Sequence, residues 1–205
     1  VDGHVHYPQI GVIASFGAQL LDWLEKYTFP EEARFSDADY AAQTAKLFLD
    51  LLLANGTTTA AVYCTVHPES ADAFFEESSA RNLRMIAGKI LMDRNAPESV
   101  RDTAQSGYDE TKSLIEKWHG QGRNLYAVTP RFAPTSTPAQ LEACGTLMAE
   151  FSDVYLQSHV SENTDEVKWV AELFPEARSY LDVYDRFGML GPRALYGHAI
   201  HMDDT

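Results

Sequence analysis

The chain has 205 residues, 45% of them apolar, and 16 basic against 30 acidic side chains give a net charge of −14. That length allows one sizeable core, and that charge excludes nucleic acid and anionic membranes as partners while admitting a neutral or cationic small molecule. Cys64 and Cys144 lie far apart and outside any CxxC, which predicts reduced thiols in a cytoplasmic protein, and the greasy run LFLDLLLA (47–54) is too short for a membrane span and broken by Asp50.

VDGHVHY (1–7) reads as a short strand, and ADYAAQTAKLFLDLLLANG (38–56) as a helix. Asp39, Gln43, Lys46 and Asp50 form the polar stripe of that helix, and Ala41, Ala45, Phe48, Leu49, Leu52 and Leu53 fill its other side. Ser36, with Asp39 three residues on, predicts a capping box, and Asn55-Gly56 a stop. TTTAAVYCTV (57–66) is the second strand, followed by a helix over 68–82. LRMIAGKILM (83–92) is the third strand, and a long polar-rich helix is expected over 97–119. NLYAVTPRFAP (124–134) holds the fourth strand, and Thr137-Pro138-Ala139-Gln140 opens a helix with an N-cap and a first-turn proline. DVYLQSHVSE (153–162) is the fifth strand, 164–188 is helical with a break near Pro175, and RALYGHAIH (193–201) is the sixth strand.

Buried strands separated by helices argue for a parallel sheet with helices outside it. Without a Gly-rich phosphate loop, the pattern fits an α/β fold of the incomplete (β/α)8 TIM-type barrel kind, with about six of the eight βα units that a complete barrel of about 250 residues has.

His4 and His6 stand at i and i+2 of a strand and therefore face the same way. If that side is the barrel interior, two imidazoles converge at the end of a barrel where active sites sit, and a divalent metal needs at least one more ligand. Two strand histidines can also simply hydrogen-bond. The fifth strand ends in Gln157-Ser158-His159-Val160-Ser161-Glu162 and the sixth in Tyr196-Gly197-His198-Ala199-Ile200-His201, so five of the seven histidines lie at or near strand ends. His67 and His119 flank helices and read as surface or capping residues. Glu162, just past the fifth strand, suits either proton transfer at a metal site or stabilisation of the next helix dipole.

These residues resemble a known family. HVH on a first strand, a lone histidine on a fifth followed by Ser-Glu, and a histidine after a sixth are similar to the amidohydrolase superfamily. VDGHVHYPQ, LDWLEKYTFPEE (21–32), NGTTTA, TPRFAPT and QSHVSE together resemble its guanine deaminases, over essentially the whole chain. The HxH alone is widespread in the superfamily, whereas LDWLEKYTFPEE and the pairing of TPRFAPT with QSHVSE are much more specific. The resemblance implies one zinc ion, iron being the other candidate, held by His4, His6 and His159. It implies that His198 sits beside the metal and bonds the substrate or its attacking water, that Gln9, Arg131 and Phe132 grip a purine, and that Glu162 shuttles protons. The implied reaction is hydrolytic deamination of guanine to xanthine and ammonia, and the implied assembly a homodimer. Read from the residues alone, Arg131 could equally be a structural ion-pair partner and Gln9 a loop residue without a ligand.

Members of that family carry a further metal-binding Asp after an eighth strand and a small β-sandwich built from both chain ends. Asp203 and Asp204 follow the sixth strand and are not that Asp's counterpart. The expectation is therefore that residues 1–205 are a partial metal-dependent hydrolase barrel domain lacking the terminal β-sandwich. Weak or absent zinc binding, little activity, and unpaired edges on its first and sixth strands would follow. Two rivals remain at this point. One is another amidohydrolase, a chlorohydrolase or a deaminase of a different nucleobase or triazine; the other is a non-catalytic barrel scaffold.

Overall fold

The computed structural model describes residues 1–17 and 19–202; Asp203 and Asp204 lie outside them. The apolar runs form six strands: β1 (Asp2–His6), β2 (Thr59–Tyr63), β3 (Arg84–Gly88, continued by Ile90–Leu91), β4 (Leu125–Pro130), β5 (Tyr155–Val160) and β6 (Ala194–His198). Among the described residues every strand pairing is parallel and neighbours follow chain order from β1 to β6. Parallel neighbours need long crossovers. These are α1 (Ala38–Ala54), α2 (Pro68–Ala80), α3 (Ala104–Trp118), α4 (Pro138–Glu150), α5 (Thr164–Leu173) and α6 (Tyr180–Arg186). Leu49, Phe74, Phe75, Leu114, Leu141 and Val170 from the helices pack in one apolar cluster with Val62, Met85, Val128 and Leu156 from the strands.

The sheet curls until its last strand returns to its first, as in an incomplete TIM-type barrel. Gly197 of β6 lies so close to the His4 ring of β1 that a Cβ there would collide with the imidazole. Glycine at 197 is thus what lets the two ends of the sheet approach.

Four local expectations need correction. Asp37, not Ser36, caps α1, its carboxylate accepting from the backbone N–H of Asp39 and Tyr40; Ser36 instead donates to the Ala33 carbonyl. Leu53, expected on the covered side of α1, is 40% exposed, whereas Ala41, Ala45, Phe48 and Leu49 on that side are buried. The third strand is interrupted at Lys89. Its ammonium group is fully buried and meets Asp102 at 2.8 Å and Glu110 at 3.0 Å, because a buried charge requires close partners. The helix expected over 97–119 starts late for the same reason. Asp102, which also accepts from Gln140 at 2.7 Å, stays outside the helix, and Thr103 caps it through a reciprocal bond pair with Ser106. The break near Pro175 is present, between α5 and α6. Both cysteines are buried and unpaired, and no helix among the described residues is long and apolar enough to cross a membrane.

The capping assignment has a direct check. Asp37→Ala should lower unfolding free energy by about 1 kcal/mol in urea titration, whereas Ser36→Ala should change it by a few tenths at most; equal losses would contradict it.

Candidate active site

The period-two geometry of β1 sends His4 and His6 to the same side, and β5 sends His159 to meet them. Ring centroids lie 5.3 Å apart for His4–His6, 4.7 Å for His4–His159 and 5.0 Å for His6–His159. One donor nitrogen from each of the three falls within 4.8 Å of the other two. His198 completes the group from β6, 4.9 Å from His4 and 5.4 Å from His159. His201 stands apart, exposed beyond β6, with its N–H donating to the Ser161 carbonyl. His67 precedes α2 half-buried without a side-chain cap bond, and half-buried His119 accepts the Tyr126 N–H with its Nδ1, so neither is the surface or capping side chain expected.

Hydrogen bonding assigns the His159 tautomer. The Arg131 carbonyl, an obligate acceptor, lies 2.6 Å from His159 Nδ1, so that nitrogen carries the proton and Nε2 keeps its lone pair. That Nε2 points at His6 Nε2, 2.9 Å away, while His6 Nδ1 is buried with no partner among the described residues. Hydrogen bonds alone therefore leave this cluster incomplete; a cation shared by the ring nitrogens would satisfy the lone pairs. Three neutral imidazoles are a suitable donor set for a catalytic divalent ion. Burial, reinforced by neighbouring histidines, keeps them neutral. It lowers His4 from 6.5 to about 4, and pushes His6 and His159 well below the usual value. Tyr63, at the end of β2, stacks on His6 with ring centroids 4.4 Å apart.

Glu162 lies where the chain leaves β5, its carboxylate 3.3 Å from His198 Nε2. Ser161, His198 and Ala199 here adopt positive φ angles of 52°, 71° and 51°, a conformation that side chains other than glycine disfavour. Backbone bonds from Ala199 to Val160 and from Ile200 to Ser161 hold the two strand ends together. Glu166, buried at the start of α5, accepts the N–H of Glu162 and of Asn163 and fixes that turn. Burial first, then the nearby Glu166, raises the Glu162 carboxyl from 4.5 to about 7, where it can both accept and donate a proton at neutral pH.

Opposite the histidines, the LDWLEKYTFPEE stretch winds as a continuous run of helical turns over 20–36, one of them wide, at Leu24–Thr28. Leu24 and Phe29 bury against Tyr63 and Phe132, and the Trp23 indole N–H donates to the Ser15 carbonyl. Between this run and the strand ends is a cavity of about 750 Å³, lined among others by Gln9, Trp23, Arg131, Phe132, Glu162 and His198. That size suits a small molecule. Every residue singled out in the sequence as metal ligand, purine grip or proton shuttle borders this one space.

Two contributors were not singled out. Glu32 is fully buried behind the cavity wall and accepts Arg131 Nη1 on both carboxylate oxygens, at 2.9 and 2.7 Å. Burial raises its carboxyl, with Arg131 and then Gln9 beside it pulling the other way. So Arg131 is at once an ion-pair partner and a cavity residue. Glu32 sits in the most family-specific run of the sequence, but its role depends on a partner 99 residues away. Tyr63 could have been found as the last inward residue of its strand.

The sequence profile of the amidohydrolase family matches residues 1–205. The guanine deaminase of Escherichia coli (strain K12) is 50% identical over 204 residues, which is 100% of this chain and 46% of the relative. A solved structure of E. coli guanine deaminase superposes with a TM-score of 0.97 at 50% identity, covering 98% of this chain and 47% of that one. A guanine deaminase from C. acetobutylicum, solved with guanine bound in its active site, superposes with a TM-score of 0.91 at 32% identity, over 99% of this chain and 49% of that one. The chain thus spans about half the length of the curated relatives it matches.

The shifted groups make stability depend on pH in opposite senses. Between 6.5 and about 4 the unfolded chain binds a proton that folded His4 refuses, so this contribution is lost as pH falls. Between 4.5 and about 7 folded Glu162 keeps a proton that the unfolded chain has released, so its contribution is lost as pH rises. In urea titrations of chelator-treated chain, Glu162→Gln should steepen the rise of stability with pH and His4→Asn should flatten it. The reverse order would contradict the assignment.

Proposed function

As the chain belongs to the amidohydrolase family, we propose that its histidine centre and cavity serve the hydrolytic deamination of guanine to xanthine and ammonia, with zinc as the metal. The observation that carries this reading is the convergence of three neutral imidazoles, a carboxyl poised near 7 and an Arg–Gln–Phe wall on one cavity with room for a purine. The identity to guanine deaminases over the whole chain supports the substrate.

His4, His6 and His159 would hold the ion, which when bound supplies a water activated at neutral pH. Phe132 offers a ring face to the flat base. Arg131 donates to a purine acceptor, and Gln9 can both donate and accept along the same edge. This grip turns the amino-bearing C2 of guanine towards Glu162 and His198. Glu162 takes a proton from the attacking water and passes it to the ring nitrogen, then takes the remaining proton of the hydroxyl added at C2 and delivers it to the departing amine, so that guanine and water become xanthine and ammonia. His198, within reach of Glu162, bonds the substrate or the water. Free guanine is uncharged, so the strongly acidic surface does not repel it. Two buried unpaired thiols suit a cytoplasmic setting.

Assay of ammonia release by the zinc-loaded protein should show guanine turned over in preference to adenine, cytosine and a chlorotriazine. Glu162→Gln should lower kcat by at least about 100-fold with metal content unchanged. Preference for another ring would move the protein to a different substrate within its family, and full activity of the Gln variant would remove Glu162 from its role.

A further inference from the structure

Arg131 meets the cavity with its charge already matched. Its Nη1 is bound to both oxygens of Glu32, and the pair is almost wholly buried, the two side chains being 4% and 1% exposed. Phe29 covers the guanidinium, its ring centroid 5.6 Å from Cζ. The guanidinium makes no other hydrogen bond to a described residue, so its remaining edge is available to the cavity that Arg131 lines. Gln9, also in the cavity wall, lies beside the same carboxylate. An arginine presented alone in such a pocket would favour anions, since a guanidinium binds carboxylate or phosphate in a fork. Presented with a buried counter-charge, it keeps its directed N–H donors but has no net charge to offer.

We infer that Glu32 is a positioning residue that sets the charge preference of the cavity: by fixing and neutralising Arg131 it selects an uncharged, carbonyl-bearing heterocycle over an anionic one. This rests on the guanine reading above for the identity of the ligand, though not for the hold of Glu32 on Arg131. The two aspects have separate readouts.

The zinc-loaded protein, its Glu32→Gln variant and the double variant Glu32→Gln/Arg131→Gln are titrated calorimetrically with guanine and with urate, an anionic purine of similar size. The guanine-to-urate affinity ratio should fall by about tenfold or more in Glu32→Gln. The double variant should lose guanine affinity without gaining urate. An unchanged ratio in the single variant, or an equal gain of urate in the double one, would overturn the inference. Nitrogen-15 NMR of the Arg131 Nε–H supplies the ligand-free readout. Its hydrogen exchange should be at least about tenfold faster in Glu32→Gln, and unchanged exchange would also overturn the inference. If Glu32→Gln does not fold, Glu32→Asp, which keeps the charge on a shorter arm, should loosen Arg131 exchange while preserving the preference for guanine; a loss of that preference would count against charge as the cause. Wild-type protein that binds neither purine but shows the exchange difference would overturn the guanine reading while supporting the hold of Glu32 on Arg131.

Discussion

The bond between the Arg131 carbonyl and His159 Nδ1, 2.6 Å long, organises the site. It fixes which nitrogen of His159 carries the proton and therefore which one is left to face His6. The same carbonyl accepts the His159 backbone N–H and the Ser158 hydroxyl, so β5 is tied to the end of β4 at the point where both contribute side chains. From that residue the backbone sets the tautomer of His159 while the side chain forms the opposite wall of the cavity. Tyr184 of α6 reinforces this junction from beneath. Its hydroxyl donates to the His159 carbonyl and accepts from the Ala133 N–H, so the ends of β4 and β5 share one buried hub.

Desolvation gives the cluster its chemistry. Four imidazoles in one cluster would repel one another if protonated, and burial already disfavours their charged forms. Neutral imidazole is the form that binds a metal, so the surroundings that make the histidines poor bases make them competent ligands. The same burial acts oppositely on Glu162 and keeps its proton available near neutrality. The strained backbone at Ser161, His198 and Ala199 places these groups at the mouth of the sheet, a local cost of about 1–3 kcal/mol per residue that the surrounding packing must outweigh.

How much of this was legible in the sequence follows from the range of each interaction. The same-side placement of His4 and His6 is a property of any strand and could be read from three residues. The strand–helix alternation was legible because each element carries its own period. What failed to show was pairing across the fold. Asp37 and Ser36 are both competent caps, and only the path of the backbone decides between them. Lys89 sits in an apolar run that reads as strand, and nothing nearby announces that Asp102 and Glu110 will bury with it. Glu32 looks like one more acid in an acidic chain. Its meaning comes entirely from Arg131, which the fold delivers to it from the far end of β4.

Sheet curvature and site assembly are one event in this molecule. β1 and β6 are the terminal strands in the pairing order, yet the approach of Gly197 to His4 and the contact of His4 with His198 bring them together. Side chains rather than a ladder of backbone bonds make this seam among the described residues. An ion held by His4 and His6 on one edge strand and His159 on the strand beside the other edge would fasten the sheet across that gap, so its binding energy would also be folding energy. A lone Cβ at 197 would act on both at once, because the space it fills is the space that the His4 ring occupies.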